Sequence, residues 1–92
     1  MSRFSIDEFG NKCWFNDNGK LHRVDGPAIE EPDGTEEWYL NGQLHRINEP
    51  AIEFPSGTKF WYFYDNLHRE NGLAVRYSTG TGTWNLRNVE IF

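Results

Sequence analysis

The stretch Trp38-Tyr39-Leu40-Asn41-Gly42-Gln43-Leu44-His45-Arg46 sets a two-residue turn between two runs of strand-forming side chains. Asn-Gly is the pair that a type I′ hairpin turn demands, because both central residues take positive φ. The turn fixes the opposing pairs: Leu40 with Gln43, Tyr39 with Leu44, Trp38 with His45, and Glu37 with Arg46. Period-two alternation then places Trp38, Leu40 and His45 on one face and Tyr39, Leu44 and Arg46 on the other.

Working outward, the same phrase recurs. Leu-His-Arg stands at residues 21–23, 44–46 and 67–69, a step of 23. The step also carries Trp38 to Trp61 to Trp84, Ala28 to Ala51 to Ala74, and Gly34 to Gly57 to Gly80. A fixed period of this size marks a repeat protein, in which one supersecondary unit stacks on its copies. Asn18-Gly19 and Asp65-Asn66 stand for the hairpin turn in the flanking copies. Pro32-Asp33-Gly34 and Pro55-Ser56-Gly57 supply a second turn, and Asp25-Gly26-Pro27 and Asn48-Glu49-Pro50 mark a bulge or bend midway along the second strand. No segment shows a helical apolar period. The expected fold is all-β: an antiparallel β-meander of about three 23-residue hairpin repeats, with about two long strands per repeat in a single coiled or curled sheet. Residues 1–92 read as one domain, with repeats near 11–33, 34–57 and 58–80, and 81–92 as a C-terminal cap.

The unit resembles the MORN repeat, which has the same length and a hairpin on an Asn-Gly turn. An aromatic precedes that turn, a His follows it, and an Asp-Gly closes the unit. Trp38-Tyr39, Asn41-Gly42, His45 and Gly57 match these places, as do Trp61-Tyr62, His68 and Gly80. The variant Leu-His-Arg-x-Asp-Gly-Pro-Ala is similar to small uncharacterised proteins of phages and large DNA viruses. The chain departs from the family where Arg23, Arg46 and Arg69 follow the His in place of Gly, and where Glu49 replaces the Gly seen at Gly26 and Gly72. The resemblance implies a non-enzymatic scaffold for protein contacts or dimerisation, with lipid-headgroup binding sometimes proposed.

Composition narrows the function further. The net charge of −5 opposes general affinity for nucleic acid or anionic lipid, since both need a basic field. The single Cys13 cannot form an intramolecular disulfide and suits a reducing compartment. No apolar run has signal-peptide or membrane-span length. The expectation is a soluble, cytoplasmic protein, in the host cytosol if viral, and a monomer or an edge-to-edge homodimer. No cofactor or metal is expected. His22, His45 and His68 would stand about 9.5 Å apart, two strand spacings, too far to share one metal; a His stacked on its cross-strand Trp is the structural alternative. Arg23, Arg46 and Arg69 would form a ladder fit for an extended anion or acidic peptide, unless carboxylates such as Asp25, Glu37 and Glu70 pair with it. No acid/base, nucleophile or phosphate-loop motif marks an enzyme. Candidate binding residues are Trp38, Tyr39, His45, Arg46, Trp61, Tyr62, His68, Arg69 and Arg23. Two functions follow: docking on a host or viral protein, for example to inhibit a defence factor, or sequestering a nucleotide or phosphorylated headgroup on the Arg ladder and aromatics.

Overall fold

A computed structural model describes residues 3–70, 72–87 and 89–90. The fold is all-β, with no helix among the described residues and hence none long and apolar enough to cross a membrane. Short strands succeed one another: β1 (Arg3–Ile6), β2 (Lys12–Phe15), β3 (Ile29–Glu30), β4 (Glu36–Glu37), β5 (Tyr39–Leu40), β6 (Gln43–Leu44) and β7 (Ile52–Glu53). They continue as β8 (Lys59–Phe60), β9 (Tyr62–Phe63), β10 (Asn66–Leu67), β11 (Val75–Arg76), β12 (Gly82–Thr83), β13 (Asn85–Leu86) and β14 (Val89–Glu90).

The main sheet holds eight strands in the order β1-β2-β3-β4-β7-β8-β11-β12, all antiparallel and following chain order. It is an open meander, not a barrel. Eight strands at about 4.8 Å span roughly 34 Å, which accounts for most of the 39 Å long axis. Three two-stranded ribbons, β5-β6, β9-β10 and β13-β14, stand off from this sheet.

The long strands expected from sequence are cut at Trp38, Trp61 and Trp84, and the cut has a simple cause. Trp38 gives its N–H to Ala51 O (2.7 Å) but takes the His45 N–H on its own carbonyl (3.0 Å). Its two backbone faces therefore serve different partners, the main sheet before it and the ribbon after it. Trp61 does the same with Ala74 and His68. Glu37 accordingly opposes Ile29 and Ile52, not Arg46. Of the bulge or bend expected near Asp25–Pro27 and Asn48–Pro50, the structure has the bend: the chain turns there into the next strand of the main sheet, between β6 and β7 for example.

The turns follow two designs. Asn41 (φ 51°) and Gly42 (φ 84°) form the type I′ turn, with Leu40 opposite Gln43. At the equivalent site Phe63 opposes Asn66, so the turn residues are Tyr64 (φ 47°) and Asp65 (φ 67°), one position earlier than the sequence suggested. Asn18-Gly19 belongs to the other design. Gly19 N donates to Asn16 O and Asn16 N to Lys20 O, the same wider loop that closes Glu31–Thr35, Phe54–Thr58 and Tyr77–Thr81. The extra residue between Trp14 and His22 is what converts the turn.

Cross-strand rows give the sheet two faces. One carries Ile29, Ile52, Phe60 and Val75; the other carries Lys12, Glu30, Glu36, Glu53, Lys59 and Arg76. Ala28, Ala51 and Ala74 are wholly buried, joined in the core by Trp61 and Val75. Within the segment read as a cap, Leu86 opposes Val89 in β13-β14. The part of the expected cap at Ile91 and Phe92 lies outside the described residues.

Candidate functional site

Each Leu-His-Arg phrase closes two joints, and both absorb residues that sequence reasoning set aside for binding. The arginine joint comes first. The Arg23, Arg46 and Arg69 guanidiniums lie 3.9, 3.8 and 4.0 Å from the ring centroids of Trp14, Trp38 and Trp61. Nη1 of each donates to a backbone carbonyl four residues on: Pro27 at 3.1 Å, Pro50 at 3.2 Å and Leu73 at 3.2 Å. Arg23 also pairs with Glu30 (3.2 Å) and Asp25 (3.2 Å), and Arg46 with Glu53 (3.1 Å). A half-buried guanidinium that holds a π face, a carbonyl and a carboxylate is a clasp, not an open anion receptor. Arg, not His, takes the Trp face, because the strand break at Trp38 ends the alternation that would have put Arg46 on the opposite side.

The clasp explains two glycines. A Cβ on Gly26 would fall 2.7 Å from Arg23 Cζ, and one on Gly72 would fall 2.6 Å from Arg69 Cζ. The middle copy tolerates Glu49 in that place, where the preceding Asn48 takes φ 63° and Glu49 is exposed.

The histidine joint ties one copy to the next. Nδ1 of His22, His45 and His68 accepts the backbone N–H of Asn41 (2.9 Å), Tyr64 (3.2 Å) and Arg87 (3.2 Å), each the first residue of the following turn. Acceptance requires that Nδ1 carry no proton. His45 is 4% exposed, stacked on Tyr64 (4.0 Å) and tilted against Phe63 (4.7 Å). Burial holds its pKa below the ordinary imidazole value. Backbone bonds reinforce the joint: Arg46 N to Tyr62 O (3.3 Å) and Asp65 N to Leu44 O (2.8 Å). No group of three or more His, Cys, Asp or Glu among the described residues is placed to hold a metal.

The remaining candidates divide. Tyr39 is half-buried and gives its hydroxyl to Glu37 (3.2 Å); burial, with the Glu37 charge beside it, pushes the phenol up to about 12. Burial, then the Asp65 charge, also raises Tyr62. Burial, helped by Asp7 and Glu37, pushes the Cys13 thiol up, which disfavours the reactive thiolate. Trp38 and Trp61 each keep an indole N–H buried without an acceptor among the described residues.

What stays open is a groove of about 860 Å³ over the β9-β10 ribbon. It brings together Arg46, Trp61, Tyr62, His68 and Arg69 from the sequence candidates, and leaves out Arg23, Trp38, Tyr39 and His45. The lining residues that were not candidates are Ile47, Asn48, Phe63, Tyr64, Asn66, Glu70 and Arg87. Ile47, Phe63 and Tyr64 remain 68%, 45% and 46% exposed. Tyr64 and Arg87 (φ 49°) also hold left-handed backbone at the position that Asn41 fills in the middle copy. A bulky side chain there costs about 1–2 kcal/mol, which Asn or Gly relieves. The signal was present in the sequence: a tyrosine and an arginine sit where the turn type asks for asparagine. Retained strain beside exposed apolar surface points to function.

Comparison with protein-family models, curated proteins and solved structures gave no significant match. The functional reading therefore rests on this geometry.

Proposed function

We propose that the chain is a non-enzymatic binding module of MORN-like build that docks on another protein through the groove over β9-β10. In the phage or large-virus setting that the sequence resemblance suggests, the partner is a host protein that the module modulates or inhibits, in a reducing cytoplasm suited to the lone Cys13. One observation carries the reading: Ile47, Phe63 and Tyr64 stay largely exposed around a single groove. Phe4, Phe9 and Tyr77 are exposed as well but do not line this groove, whereas the three side chains gathered in it match the apolar centre of an interface. The competing role, sequestration of a small anion by the arginine ladder, is poorly supported, because Arg23 and Arg46 are already neutralised by their own carboxylates.

Affinity capture tests the proposal, run in parallel with the tagged wild-type chain and the Ile47→Ser and Phe63→Ser variants, each checked by circular dichroism. The expected result is a stoichiometric protein retained by the wild type and lost by both folded variants. Retention by both variants, or release on heating of a small ligand in place of a protein, would overturn it.

A further inference from the structure

The groove differs in charge from the chain around it. The sequence is acidic overall, yet beyond Glu53 the carboxylates thin to Asp65, Glu70 and Glu90, while Lys59, Arg69, Arg76 and Arg87 remain. The arginine clasp shows where the compensation lapses. Arg23 and Arg46 each pair with a glutamate seven residues on, Glu30 and Glu53. Seven residues beyond Arg69 stands Arg76. The Arg69 guanidinium is held by the Trp61 ring at 4.0 Å and the Leu73 carbonyl at 3.2 Å, with no carboxylate in ion-pair reach among the described residues. Arg87 adds a second, exposed cation to the same groove. Glu70 is the single carboxylate in the lining, 3.7 Å from His68 Nε2.

We propose that the groove takes an extended acidic segment of the partner protein, in which an aliphatic or aromatic side chain is flanked by Asp or Glu. The apolar side chain packs against Ile47, Phe63 and Tyr64, and the flanking carboxylates meet Arg69 and Arg87. This rests on the docking reading and adds the chemistry of the partner. A longer polyanion such as nucleic acid fits less well, because it would run from these cations onto the acidic remainder of the chain. Arg87 holds its side chain over the groove from a turn position where asparagine would be less strained, which gives that strain a use.

Fluorescence polarisation with a labelled Glu-Asp-Leu-Phe-Asp-Glu peptide tests the inference against the same peptide with Gln and Asn for its acids. The acidic peptide should bind about tenfold tighter, and its affinity should fall as salt rises from about 50 to 300 mM. Arg87→Glu should weaken it about tenfold at unchanged melting temperature, and Arg87→Lys should restore most of the loss. Equal binding of the two peptides, no binding of either, or a nucleoside triphosphate that binds as tightly would overturn the inference. Partner capture that survives Arg87→Glu but not Phe63→Ser would overturn it too, while leaving the docking reading intact. Capture indifferent to both substitutions would remove both readings.

Discussion

Acid should loosen the joints between copies through His45, and the size of the effect can be worked out. Nδ1 of His45 accepts the Tyr64 N–H at 3.2 Å from a ring that is almost fully buried between Tyr64 and Phe63. Protonation turns that acceptor into a donor facing a donor and places a charge where water is excluded. Burial therefore sets the folded-state pKa below the unfolded value of 6.5. The sign follows: the unfolded chain takes up the proton more readily, so the contribution of His45 is whole above pH 6.5 and is lost as pH falls toward the folded-state pKa. One proton limits the slope to about 1.4 kcal/mol per pH unit. Urea unfolding followed by tryptophan fluorescence at pH 7.5, 6.5 and 5.5 keeps most carboxylates ionised and isolates this window. His45→Phe keeps a ring in the stack but leaves the Tyr64 N–H without its acceptor. It should cost about 1 kcal/mol at pH 7.5 and show a visibly flatter pH dependence than the wild type. A wild-type stability that is level or rises toward pH 5.5, or a His45→Phe slope equal to that of the wild type, would refute the argument.

Three further outcomes follow from the packing. Glu36 stands between Glu30 and Glu53 in adjacent strands; Glu36→Gln should relieve this repulsion by about 0.5 kcal/mol and raise the melting temperature by roughly 2–4 °C. Gly72→Ala puts a methyl where the Arg69 guanidinium lies, so it should displace the cation from Trp61, cost about 1–2 kcal/mol and alter tryptophan fluorescence. Tyr64→Asn exchanges left-handed strain for a lost stack on His45; thermal unfolding should place it within about 1 kcal/mol of the wild type, while partner capture falls sharply.

Much of the fold was legible because turn chemistry is local. Asn41-Gly42 fixes its hairpin and register without help from distant residues, and the step of 23 carries that register along the chain. The errors in facing and strand length share one physical origin. Alternation was extended through Trp38 as though the strand were continuous, but the backbone of Trp38 bonds to Ala51 on one side and to His45 on the other. That exchange of partners is a tertiary event with no local signature. It brought Arg46 onto Trp38 and left His45 for the next turn. The third turn was misplaced by one residue because Asp65-Asn66 looks like turn chemistry and Tyr64 does not. The stacked copies impose the two-residue loop on Tyr64 and Asp65 regardless, since Asp65 N bonds to Leu44 O.

The same contrast separates scaffold from site. Residues that recur at the step, Trp, His, Arg and Ala, are those whose polar or apolar groups the stack itself uses. Most make poor candidates for a ligand despite their chemistry, because a group that holds a carbonyl, a ring and a carboxylate has little left to offer; Arg69, with no carboxylate in ion-pair reach among the described residues, is the exception. In the groove the recurring residues stand beside departures: Tyr64 and Arg87 where Asn41 sets the pattern and Phe63 where Leu40 stands, while outside it Arg76 occupies the place of the glutamate that would have neutralised Arg69. With asparagine in place of Tyr64 and Arg87 both turns would lose strain and keep the backbone N–H that His45 and His68 accept, at the cost of the Tyr64 stack on His45. Both side chains are costly to their turns, and both line the groove where exposed apolar surface meets cations that no carboxylate among the described residues pairs.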